Sequence, residues 1–120
     1  MYKRQIQRVI NDNLENMTKL ASEDNNFEVR VAVLRFLGYT GDIRALDPIF
    51  EIIKNCNENE YERLKEWIQW VLFTPEYLLA KKFKREVPKR LDELLNDPVE
   101  QVRQRAVELY KFMLSPNGMR

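Results

Sequence analysis

Histidine is absent from this sequence, and the absence excludes more chemistry than any residue present suggests. Without imidazole the chain lacks the commonest general base at neutral pH and the commonest transition-metal ligand. Cysteine occurs once, as Cys56, so an internal disulfide is excluded and a zinc centre has almost nothing to draw on. Glycine occurs three times, and the glycine-built motifs of phosphate loops, dinucleotide folds and nucleophile elbows are all missing. No apolar run approaches the ~20 residues needed to span a bilayer. An excess of one charge is missing too: 20 Lys and Arg face 19 Asp and Glu, for a formal net charge of +1. Whole-chain electrostatics therefore does not advertise nucleic acid or membrane. The opening MYKRQIQRVI is charged and amphipathic rather than the apolar core of a secretion signal, so a cytoplasmic, reducing setting is the expectation.

What is present is helical periodicity. The 120 residues, 44% hydrophobic and 32% charged, suit one folded domain over 1–120, and no segment alternates in the manner of a strand. From Tyr2 to Ala21 the apolar residues Ile6, Val9, Ile10, Leu14, Met17 and Leu20 form a one-sided stripe, which predicts an amphipathic helix. Phe27 to Asn55 reads as a helical hairpin. Val29, Ala32, Val33, Phe36 and Leu37 make the main stripe of its first helix, with Phe27, Val31 and Leu34 on a second flank. Gly38 stands where a left-handed residue commonly ends a helix, and Asp42 where a carboxylate can start the next. Pro48 leaves two readings of that second helix: a short first turn capped by Asp42, or a helix starting with Asp47 as cap and Pro48 at its first position after a tight turn. The second is adopted. Ile49, Ile52, Ile53 and Cys56 face inward from it, Cys56 as a small buried hydrophobe.

Asn59 with Glu62 resembles a capping box for a helix from Tyr61 to Phe73, whose Trp67 and Trp70 are assigned to the core, with an exposed recognition patch as the alternative. Thr74 and Pro75 predict a further start, with an inserted helix to about Arg85. Leu91, Leu94 and Leu95 mark a short helix from Pro88 to Asn96. Asp97-Pro98-Val99-Glu100 opens the last one, with Val99, Val102, Ala106, Leu109, Tyr110 and Met113 inward to about Leu114.

The residues Glu28-Val29-Arg30-x-Ala32 and Leu37-Gly38-x-x-Gly41-Asp42-x-Arg44-Ala45-Leu46-x-Pro48 resemble the HEAT-like repeat of the phycobilisome-lyase type. The likeness covers about one repeat, roughly a quarter of the chain, and Val102-Arg103 with Ala106 echoes it near the end. It implies an all-α fold: a short right-handed α-α superhelix, a HEAT-like solenoid of about seven helices with an irregular middle repeat. It implies structural pairing for Arg30, Arg44 and Arg103, with Asp24 or Asp42 among the partners. On activity it is nearly silent.

The functional signal in the residues themselves is a basic cluster of Lys81, Lys82, Lys84, Arg85, Lys89 and Arg90, interrupted only by Glu86. Such a cluster suits phosphates or an acidic protein, against the plainer reading that bases near a helix end complement its dipole. Asp12, Glu15, Glu23, Asp24 and Glu28 form an acidic counterpart, which makes head-to-tail contact between copies conceivable. Glu62 and Glu66, one turn apart, read as a solvated face. The expectation is a non-catalytic protein-protein interaction or scaffold module, without cofactor or metal and outside the membrane. Nucleic-acid backbone binding through the basic cluster is the alternative. The sequence leaves the partner and the oligomeric state open.

Overall fold

A computed structural model describes Asn16 and residues 26–115. Apart from Asn16, the amphipathic segment 2–21 lies outside the described part, as do most of the acidic segment and the last five residues. Among the described residues there are six α-helices, one 3-10 turn and no strand: α1 (Phe27–Tyr39), the turn Ile43–Ala45, α2 (Leu46–Asn55), α3 (Glu58–Phe73), α4 (Leu78–Lys82), α5 (Glu86–Leu95) and α6 (Glu100–Leu114). The all-helical expectation holds, and the seventh expected helix is the one that falls outside.

Each boundary has a local cause. Asn26 starts α1 by accepting from the amides of Glu28 and Val29, at 2.9 and 3.4 Å. The helix then runs through Gly38 to Tyr39, and neither Gly38 nor Gly41 has a left-handed φ. Gly38 is therefore no helix stop. A Cβ on it would lie 2.5 Å from Tyr77 Cδ1 and 3.0 Å from Val71 Cγ1, so the missing side chain admits the Tyr77 ring against the helix backbone. Thr40 closes α1 instead, its hydroxyl donating to the Leu37 carbonyl at 2.9 Å.

Asp42 caps the 3-10 turn through the Arg44 amide at 2.9 Å, and α2 follows directly from Leu46. Pro48 is thus the third residue of α2 and Asp47 is not its cap. Proline is tolerated there because amides of the first turn have no partner within the helix. The capping box of α3 also lies two residues earlier than expected: Asn57 accepts from the Glu60 amide at 2.9 Å and returns a bond to the Glu60 carboxylate at 3.0 Å. Thr74 does not start a helix. Its hydroxyl donates to the Trp70 carbonyl and ends α3, the chain turns through Pro75 to Tyr77, and the inserted helix is only the five residues of α4. Before α6, Asp97 accepts from the Val99 amide at 2.9 Å but does not cap the helix: Val99 holds the N-cap position without a side-chain bond, and Pro98 precedes the helix instead of opening it.

Helix α1 packs on α3 and α4, α5 pairs with α6, and α6 reaches back to α2 and α3. The inward stripes meet in one core that includes Leu34, Leu37, Ile49, Ile53, Ile68 and Leu72, with Leu91 and Leu109 from the last pair. Several expected core positions face water instead: Ala32, Phe36, Trp70 and Val99, while Trp67, Tyr110 and Met113 are half-buried. Tyr110 clips the last pair together, its hydroxyl reaching the Pro88 carbonyl at 3.0 Å and the Asp92 carboxylate.

Candidate functional site

The structure separates the six bases of the cluster by their duties. Lys82 donates from Nζ to the Gly41 carbonyl at 2.9 Å, tying α4 to the turn after α1. Arg90 pairs with Asp47 at 2.8 Å and lies 5.0 Å from the Phe50 ring centroid, fastening α5 to α2. Lys81, Lys84, Arg85 and Lys89 are exposed, and no carboxylate among the described residues stands within ion-pair distance of them. Of the six, Arg90 alone has a carboxylate partner among the described residues, and Lys82, though tethered, stays exposed and cationic.

The repeat-motif arginines have structural partners. Buried Arg30 pairs with Glu60 of α3, and Arg44 binds Asp42 through Nε at 3.0 Å. Arg103 donates to the Asp97 carbonyl at 2.6 Å. A further arginine that the sequence reading passed over is Arg105, only 3% exposed. One of its Nη atoms donates to the Ile53 carbonyl at 2.8 Å, and its guanidinium lies 4.5 Å from the Tyr61 ring centroid. Its Nε and other Nη, and the Tyr61 hydroxyl, have no hydrogen-bond partner. Burial pushes the Tyr61 phenol well above its ordinary pKa, and burial likewise raises the Cys56 thiol. Glu62 and Glu66 are exposed, and Glu62 pairs with Lys65 at 3.0 Å.

Among the described residues no three Cys, Asp or Glu side chains converge in the manner of a metal site. One hollow, about 470 Å³, is lined among the described residues by Glu100, Arg103, Gln104, Val107, Glu108 and Lys111. All six belong to α6, so among the described residues its lining comes from one helix.

The feature that spans several elements is a strip on α1, α3 and α4. Trp70, 44% exposed, meets Trp67 edge to face at 5.3 Å between centroids. The Arg35 guanidinium lies 5.6 Å from the Trp67 centroid. Hydrogen bonding to the Tyr39 hydroxyl foremost, and to that of Tyr77, holds the Arg35 pKa above its ordinary value. Tyr39, 53% exposed, stacks at 4.9 Å on the buried Tyr77, the ring that occupies the space at Gly38. Leu78, 45% exposed, follows Tyr77 and stands against Gly41 beside Lys82. The strip was missed because its parts are separated along the chain. The signal available was the pair of tryptophans, which helical spacing alone assigns to the core.

No protein-family model matches the chain, and no curated protein or solved structure matches it. No helix among the described residues is long and apolar enough to cross a membrane.

Proposed function

We propose that this chain is a non-catalytic docking module, a short HEAT-like stack of helical pairs that presents the Trp70 to Leu78 strip to a protein partner. The observation that carries the reading is the strip itself, with Trp70, Arg35 and Tyr39 together on the surface. Tryptophan, tyrosine and arginine are the residue types that concentrate binding energy at protein interfaces: the stiff aromatic rings lose little entropy when covered, and the planar guanidinium offers several donors and stacks on rings. The packing of α6 on α2 and α3, and the echo of the first repeat in Val102, Arg103 and Ala106, support the stacked-repeat reading. A cytoplasmic setting belongs to the same proposal, since the one thiol is buried and unpaired.

A photocrosslinking side chain at Gln69, beside the strip, tests the proposal when set against one at Glu51 on α2. Discrete protein adducts at position 69 that disappear with Arg35→Glu support it. Equal labelling at both positions, or adducts only to nucleic acid, would refute it.

A second reading rests on the exposed quartet of Lys81, Lys84, Arg85 and Lys89. Bases free of carboxylates are able to bind a phosphate backbone, and each contact would steepen the salt dependence. Retention on heparin or duplex DNA at rising salt, compared with Lys81→Glu/Lys84→Glu/Arg85→Glu, decides it.

A further inference from the structure

We infer that the segment seated on the strip is an extended acidic peptide, with one large apolar or aromatic side chain followed by several carboxylates; the inference rests on the docking reading and names the partner's chemistry. Two halves of one surface ask for two kinds of group. Trp70, Tyr39 and Leu78 supply apolar area at one end, each between 44% and 53% exposed. The other end is cationic. Lys81 lies one helical turn beyond Leu78, and Lys84 and Arg85 follow in the turn after α4, all exposed and without a carboxylate among the described residues. Glu86 is the sole acid in the stretch from Lys81 to Arg90.

Charge complementarity therefore selects an anionic partner at a defined end of the strip. With a Debye length of about 8 Å at physiological salt, only carboxylates brought right up to these bases would relieve their mutual repulsion. The bond from Lys82 to the Gly41 carbonyl fixes α4 against the turn beneath, so the apolar and cationic halves are held at constant separation. Such preorganisation reduces the entropy a partner must lose.

The ring geometry favours a peptide over a single nucleic-acid strand. Base stacking needs free aromatic faces. One face of Trp67 is taken by Arg35 and one face of Tyr39 by Tyr77, which is itself buried. What stays open is Trp70, the outer side of Tyr39 and the exposed Arg35 beside Trp67. A side chain inserted next to a carboxylate fits that set better than a run of stacked bases.

Selection from displayed random 16-residue peptides on the immobilised full chain at about 50 mM salt, followed by anisotropy titration of the winners, tests this. The expected winners carry a Trp, Phe or Leu beside several Asp or Glu. Lys81→Glu/Lys84→Glu/Arg85→Glu weakens them about tenfold or more, Trp70→Ala about fivefold, and Glu93→Gln on α5 not at all. Winners without acids that bind the charge-reversed protein equally well would overturn the acidic inference and leave the docking reading standing. Winners indifferent to both Trp70→Ala and Arg35→Glu, or no winners, would end both. A ten-nucleotide polyuridine that displaces the winners would also overturn it, by assigning the strip to nucleic acid.

Discussion

Two single residues show how side chains override what their type suggests. Replacing Gly38 by alanine adds up to about 1 kcal/mol of helix propensity. Against this, the new Cβ meets Tyr77 at 2.5 Å and Val71 at 3.0 Å, and overpacking of that kind costs about 1–3 kcal/mol. The clash wins because Tyr77 is only 4% exposed and stacked on Tyr39, with nowhere to retreat. Gly38→Ala is thus expected to lower the urea midpoint and loosen the strip; an unchanged or higher midpoint would show that the ring relocates freely. Arg105 is the converse case. Its charge is buried without a carboxylate bonded to it, which makes desolvation the dominant cost. Arg105→Met keeps the volume and removes the charge, so urea unfolding should show equal or greater stability. Arg105→Ala opens a cavity and should cost about 2–4 kcal/mol. A large loss with methionine would mean that the guanidinium contributes more through Ile53 and Tyr61 than burial takes away.

At the scale of elements, the inward stripes of α2 and α3 were legible, that of α1 only in part since Ala32 and Phe36 face water, and the helix ends less so. Ile49, Ile52 and Ile53, and Leu64, Ile68, Val71 and Leu72, are all buried as their spacing predicts, because burial at 3.6-residue periodicity is a property of one helix alone. The caps were displaced because several cap-forming residues stand together at each end, and tertiary packing chooses among them. Asn57 is used where Asn59 was expected, and Thr74 ends α3 where it was expected to start α4. Asn57→Ala should accordingly cost about 1 kcal/mol in denaturant melts, and Asn59→Ala close to nothing. The functional strip was the least legible feature, since it depends on Tyr77 reaching Gly38 and on Arg35 meeting Trp67, contacts between residues more than thirty positions apart. Of the basic cluster, composition revealed the charge, and only the fold revealed that Lys82 and Arg90 are already engaged.

The α5–α6 clip also makes a prediction about pH. Burial foremost, then the bond to Asp92, pushes the Tyr110 phenol up to about 12. A phenol whose pKa is higher folded than unfolded contributes stability that is complete below its ordinary value near 10 and is lost as pH rises toward 12. Tyr61 is shifted in the same direction. Helicity should therefore persist to about pH 10 and fall beyond it, with phenolate absorbance rising in the same range. Tyr110→Phe should broaden or shift that alkaline transition; ionisation at pH 10 with helicity intact would exclude the linkage.

For the whole molecule, the question is whether the helical pairs melt together. The Cα radius of gyration is 14.0 Å and the extents are 45 × 32 × 24 Å, close to the roughly 13.6 Å of a compact chain of this length. Helix α6 is joined to α2 and α3 through Arg105 on Ile53 and Tyr61, and through Phe112 at 5.9 Å from Phe73. These ties predict one cooperative unit. Both tryptophans sit on α3, so their fluorescence reports the middle of the molecule while far-ultraviolet dichroism reports all helices. The two transitions should coincide in denaturant, whereas an earlier loss of ellipticity would reveal that the last pair opens independently.

Because Cys56 is the sole thiol and is only 8% exposed beside Arg105, its sulfur becomes accessible only when the contact of α6 with the end of α2 parts. A thiol-reactive dye therefore acts as a clock: the labelling rate in native buffer counts excursions of that seam, and does so without any engineered reporter.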